Sequence, residues 1–148
     1  MIKRIMIVAV LVALLSAPVF LRAQGGQDEE AIKAFIQTAY VDGLMNLGDL
    51  EKTRAGFHPD FVLLGLQDGK LTRFPIADWI ASAEKRKAQS QKPPLVTCKF
   101  VQVDVTGNAA AVKLELSREG KHIFTDYLSL YRFPDGWKVV GKIYHQHS

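Results

Sequence analysis

Apolar positions along this chain follow two periods, and the change from one to the other divides the sequence. Ile32, Phe35, Ile36, Ala39, Tyr40, Gly43 and Leu44 recur at the spacing of one face of an amphipathic helix. Asp28 suits the cap at its start, Glu29 and Glu30 suit its first turn, and Gly48 is placed to end it. Asp49 opens a short second helix through about Ala55. His58-Pro59-Asp60 reads as a break. Phe61 to Leu66 reads as a strand, Gln67-Asp68-Gly69-Lys70 as a turn, and Leu71 to Phe74 as a short partner strand. Pro75 suits the first turn of a third helix with Ile76, Trp79, Ile80 and Ala83 on its apolar face. Gln89 to Pro94 is a polar, proline-ended linker.

After the linker the period becomes two, over four strands in meander order. Paired residues must share a face, so each hairpin loop can be tested by parity. Closing at Gly107-Asn108 pairs Val105 with Ala110, Val103 with Val112 and Val101 with Leu114, all apolar. A tight loop at Glu119-Gly120 puts Leu116 and Phe124 on different faces, so a bulge is expected around Glu119-Gly120-Lys121. Closing at Pro134-Asp135 pairs Phe133 with Gly136, and then sets Asp126 opposite Ile143 and Phe124 opposite His145. This register puts Val101, Asp126, Ile143 and His145 on the core face. Phe100, Thr125, Tyr127, Tyr131, Lys142 and Tyr144 fall on the other face. That second face mixes aromatics with charge, which fits either a homodimer seat or a solvated surface.

The N-terminal residues change the reading of charge. Met1-Ile2-Lys3-Arg4 is basic, Ile5 to Phe20 is almost wholly apolar, and Leu21-Arg22-Ala23 precedes a polar run. That is the layout of a secretory signal over residues 1–23, cleaved after Ala23 or, second, after Ala17. The alternative is an uncleaved anchor, for which the apolar run is a little short. The whole chain is formally +4, but removing Lys3, Arg4 and Arg22 leaves 16 bases against 15 acids, about +1. The basic balance therefore belongs to the export signal and gives no support to nucleic-acid binding. The expected location is periplasmic or secreted, with no stable membrane anchor after cleavage. Cys98 is the only cysteine, which excludes an internal disulfide and the paired-cysteine zinc sites. Residues 24–148 are the length of one domain with one core.

The element order resembles the NTF2-like α+β cone shared by the nuclear transport factor 2, ketosteroid isomerase and SnoaL-type cyclase families. The chain is most similar to the "putative lumazine-binding" family within that group. The segments that carry the resemblance are Tyr40-Val41-Asp42-Gly43-Leu44, Phe57-His58-Pro59-Asp60, Gly69-Lys70-Leu71, Asp126-Tyr127-Leu128-Ser129-Leu130 and Asp135 through His145. The resemblance implies helices lying across a curved sheet, a conical pocket between them, and frequent homodimers. It implies either enzymes or binding modules, and it names no ligand for these residues.

Asp126 lies in an apolar row between Phe124 and Leu128, so burial should disfavour its charged form. Such a carboxylate suits a general base beside a carbonyl, or a structural acid held by amides or a cation. In the expected register His145 lies diagonal to it at about 7 Å, close enough to act with it, although a solvated chain end fits equally. Tyr40, on the buried helix face, needs a partner for its hydroxyl: a ligand oxygen or a group across the core. His58 stands at a strand entrance as a pocket-mouth residue or a loop cap, and Trp79 as a pocket wall or core residue. His58, His122, His145 and His147 show no ligand spacing beyond a His-x-His near the end, so neither a metal nor a cofactor is expected.

Three functions fit these residues. The first is an exported module binding a small apolar or aromatic ligand through Tyr40, His58, Trp79 and Asp126. The second is an isomerase, dehydratase or cyclase with Asp126 as base and Tyr40 or His145 as donor to a developing oxyanion. The third is an assembly protein acting through its outer sheet face.

Overall fold

A computed structural model describes residues 17–90 and 93–148, with side chains from Gly25 onward. The expected export segment lies outside the described residues as far as residue 16. From Ala17 the backbone already belongs to α1, Ala17–Ile36. No described helix is long and apolar enough to cross a membrane.

Asp28 is therefore not a cap. It lies inside α1, where its carboxylate pairs with Arg132 at 2.5 Å. The amphipathic face is as expected: Ile32, Ile36, Tyr40 and Leu44 are all fully buried. Burying one such Leu or Ile side chain contributes about 1.5–3 kcal/mol. The helix does not stay α-helical, however. Gln37–Met45 widens into a π-helix, with Asn46 N–H donating to the Val41 carbonyl at 3.0 Å. Such segments are rare and often mark functional sites.

Gly43 explains why the wide turn packs. A Cβ there would stand 2.4 Å from Thr53 Oγ1 and 3.0 Å from the Asp49 carbonyl oxygen. Thr53 in turn donates to the Ala39 carbonyl at 2.7 Å, which ties the π-helix to α2, Leu50–Gly56. Asp49 caps α2 as expected, accepting from Glu51 N–H at 3.0 Å and Lys52 N–H at 3.4 Å.

The strands are β1 (Phe57–Gln67), β2 (Lys70–Pro75), β3 (Val96–Thr106), β4 (Ala109–Arg118), β5 (Lys121–Phe133) and β6 (Gly136–Gln146), with α3 (Ile76–Ala88) after β2. They form one sheet in the order β2-β1-β6-β5-β4-β3. Every neighbouring pair is antiparallel except β1 with β6. The expected break at His58-Pro59-Asp60 is an irregularity inside β1, between the residues paired with Val139 and Gly141. Proline cannot donate to a ladder, which fits its place there. Helices cover one face of the sheet, and Leu114, Leu116, Leu128, Leu130 and Val139 meet Ile32, Ile36 and Ile80 in the core.

The turns at Gly107-Asn108 and Pro134-Asp135 close as expected, and Val103 pairs with Val112 and Val105 with Ala110. Three bulges, one in each of β3, β5 and β6, alter how side chains face. In β3, Val101 is the extra residue, so Phe100 rather than Val101 pairs with Leu114; Val101 is 44% exposed. The middle hairpin does close tightly at Glu119-Gly120, and Ile123, not the loop, supplies the bulge that aligns Leu116 with Phe124. In β6 the extra residue is Val140, between the partners of Leu130 and Ser129. One added residue turns every later side chain to the opposite face. Asp126 consequently faces Tyr144 and Thr125 faces His145. Ile143 is 54% exposed, while Lys142, expected outside, is buried.

Gly43→Ala should lower stability by about 1–3 kcal/mol through overpacking against Thr53. Urea unfolding of the variant checks this, and Thr53→Ser, which keeps the bond to Ala39, should cost less.

Candidate functional site

The site grows from three elements that meet under the helices. The π-helix supplies Tyr40, β5 supplies Asp126, and the residues beyond the β6 bulge supply Lys142. Asp126 is fully buried. Its Oδ2 accepts from the Tyr40 hydroxyl at 2.7 Å and from the Lys142 ammonium, also at 2.7 Å. Lys142 also donates to the Tyr40 oxygen, closing a triangle. Asp126 Oδ1 is buried with no hydrogen-bond partner.

Lys142 lies among aromatic rings as well as beside its counterion. Its Nζ is 4.8 Å from the Tyr40 ring centre, 5.3 Å from Trp79 and 5.4 Å from Tyr144. These faces attract a cation. Burial pushes the Lys142 ammonium below the ordinary lysine value, and the Asp126 carboxylate offsets part of that shift. Burial drives the Tyr40 phenol well above its usual value, with the Asp126 charge acting in the same direction. Cys98 feels the same pair of causes: burial, then the Asp126 charge, pushes its thiol up to about 12.

A cavity of about 250 Å³ opens next to the triangle. Leu63, Phe74, Trp79, Phe124 and Tyr144 form its apolar wall, and Lys142, Arg86, Arg118 and Gln146 its polar one. Phe124 and Tyr144 meet edge to face at 5.7 Å, and Phe74 lies 6.2 Å from Trp79. Neither Tyr40 nor Asp126 borders this space. Lys142 does, with the other two behind it. A larger hollow, about 570 Å³, lies on the outer sheet face beside Val62, Lys113, Tyr127 and Ile143, away from Tyr40 and Asp126.

The structure thus joins two of the expected site residues, Asp126 and Tyr40, and puts Trp79 in the wall. The choice left open for Tyr40 resolves to a bond across the core. His145 is corrected: the Val140 bulge carries it to the face opposite Asp126, where it is exposed and its ring lies 4.8 Å from that of His147. His58 does not border the cavity. It stacks on Phe133 at 5.0 Å, and its Nδ1 accepts from Asp60 N–H at 3.2 Å. His122 and His147 gather around Thr125, whose Oγ1 lies 3.2 Å and 3.0 Å from their Nε2 atoms. Among the described residues no group of His, Cys, Asp and Glu is arranged to hold a metal. Lys142 was missed because strict alternation assigned it to the outer face. The adjacent Val139-Val140 before Gly141, two apolar residues in a row, was the available sign of a bulge.

Helices on one face of a mostly antiparallel six-stranded sheet, with a cavity between them, define an α+β protein of the NTF2-like class. Solved structures agree. An NTF2-like protein of unknown function from Shewanella baltica OS155 superposes with a TM-score of 0.67 at 24% identity, covering 83% of this chain and 96% of that one. Another from Silicibacter pomeroyi DSS-3 gives 0.66 at 23%, covering 82% and 98%. The chain belongs to the "putative lumazine-binding" family, whose model matches residues 27–145. It is also similar to a Cladobotryum protein named aldolase FrzH, 27% identical over 117 residues, 77% of this chain and 90% of the relative.

Removing one half of a buried ion pair strands the other charge, so Lys142→Met should cost about 3–5 kcal/mol in urea unfolding. The triple variant Tyr40→Phe, Asp126→Leu and Lys142→Met, which leaves neither a charge nor a hydroxyl unpaired, should recover most of that loss. Near-ultraviolet titration of the Cys98 thiolate should give a midpoint of about 12 in the folded protein. Asp126→Asn removes one of its two causes and should move the midpoint down; an unmoved midpoint would mean that burial alone raises it.

Proposed function

We propose that the chain is an exported binding domain whose cone holds one small aromatic molecule, without a resident cofactor. The observation that carries this reading is the cavity of about 250 Å³ between Phe74, Trp79, Phe124 and Tyr144, ending on the buried Lys142. Drug-sized ligands occupy roughly 300–1,000 Å³, so this space suits a single ring better than a fused skeleton. Trp79 and Tyr144 would take the ring. Its polar end would meet the cationic side of the space, formed by Arg86, Arg118 and Lys142, the last held in place by Asp126 and Tyr40. Export is supported by the basic start and apolar run of residues 1–23.

The relative named aldolase favours a second reading, an enzyme of the isomerase, dehydratase or cyclase type with Asp126 as base. Lys142 borders the cavity and Asp126 does not, so a substrate proton would reach Asp126 by relay, the Lys142 ammonium passing one proton to Asp126 and the amine so formed taking the substrate's. The outer sheet face, which exposes Tyr127, Tyr131 and Ile143, supports assembly with a second copy.

Native mass spectrometry of the protein purified from its own cell envelope tests these readings together. The expected spectrum is a dimer of chains beginning at Gln24, with one small molecule per chain that Trp79→Ala releases. Empty chains that no added aromatic compound stabilises would remove the ligand reading. Turnover abolished by Asp126→Asn in a protein that still folds would favour the enzyme. A monomer at high micromolar concentration would remove the dimer.

A further inference from the structure

The charge around the cavity does not balance, and the imbalance bears on its ligand. Three cationic side chains border it, Arg86, Arg118 and Lys142, and none of the bordering residues is acidic. Lys142 is neutralised by Asp126 at 2.7 Å. The two arginines have no such partner. No ion pair or side-chain hydrogen bond joins either of them to another described residue, and the Nε of each is buried without an acceptor. A buried N–H left unpaired costs free energy that a bound acceptor would return. Arg86 sits in the last turn of α3, where the helix dipole favours a cation. That accounts for its charge but not for its buried, unpaired Nε. Arg118 ends β4 and has no dipole to answer.

We infer that the cavity selects an organic anion, a single-ring aromatic carboxylate. Its carboxylate is held by Arg86 and Arg118, and its ring lies against Trp79, Phe124 and Tyr144. Two guanidinium groups match the planar, paired oxygens of a carboxylate better than any neutral polar group. The inference rests on the reading that the cavity takes a ligand, and it names that ligand's charge and shape.

Calorimetric titration of the folded protein with 3-phenylpropanoate and with its neutral amide separates the two ideas. The acid should bind about ten-fold or more tighter than the amide, the worth of one charge-assisted hydrogen bond. Arg86→Gln and Arg118→Gln should each shrink that ratio, and together abolish it, with most of the loss falling on the acid, while an unchanged unfolding midpoint reports an intact fold. Arg118→Lys should keep part of the preference. Equal binding of acid and amide, or a preference that survives the double variant, overturns the anion inference and leaves the ligand reading standing. Failure of both probes to bind removes the ligand reading and this inference with it.

Discussion

The bond between Asp126 and Lys142 is the constraint around which the rest of the molecule is arranged. A carboxylate and an ammonium are both taken out of water, and only a close, hydrogen-bonded geometry compensates for that desolvation. The 2.7 Å contact and the Tyr40 hydroxyl on the same oxygen provide it. Each partner arrives from a different kind of element. Asp126 comes on a regular stretch of β5, Lys142 from beyond a bulge in β6, and Tyr40 from a π-helix. Moving any one element by a residue would leave a charge or a hydroxyl buried without its complement. The triangle therefore couples helix to sheet more specifically than the surrounding apolar contacts, which tolerate substitution of similar volume.

Backbone irregularities make this meeting possible. The Val140 bulge turns Lys142, Tyr144 and Gln146 inward together, so the base of the cavity and much of its wall depend on one extra residue. On the neighbouring strand Gly65 has no side chain, and a Cβ there would stand 3.2 Å from the Tyr144 hydroxyl oxygen. Gly43 lets the π-helix lie against Thr53, which fixes where Tyr40 points. Bulges also bend the strands that carry them. The features that re-aim side chains are thus the same ones that curve a sheet around a space.

This distinction explains what could be read from the sequence. The amphipathic face from Ile32 to Leu44, the Asp49 cap, the glycine turns and the meander are all local patterns of period or turn chemistry, and they were legible. So was a buried Asp126, because an acid between Phe124 and Leu128 contradicts its own row. Parity also required a bulge in the middle hairpin, although it could not place it at Ile123. The bulges at Val101 and Val140 were hidden because each leaves a pattern that still alternates plausibly. Counting straight through Gly136 to His145 gives a satisfactory apolar face ending in Ile143 and His145. Beside the adjacent Val139 and Val140, only the cost of burying Asp126 without a cation argues against it. Arg86 and Arg118 could not be connected at all, since they lie on a helix end and a strand end that only the packed fold brings to one cavity.

A core selected for stability alone would look different at this place. Replacing a buried ion pair with apolar side chains of equal volume is often neutral or stabilising. Filling an adjoining void of this kind would normally add more stability, because lost contacts around a cavity carry a measurable cost. Here the two liabilities adjoin one another, and two arginines with buried, unpaired Nε atoms stand beside them. Any one could be tolerated as an accident of packing. Their convergence on one space with an aromatic wall is economical only if something occupies that space. Such an occupant would need a flat apolar body for Trp79 and Tyr144 and a charge opposite to that of the guanidinium groups. Stability given up at the ion pair and the void would then be returned on binding, which would join the cost of this part of the core to the proposed recognition of a ligand.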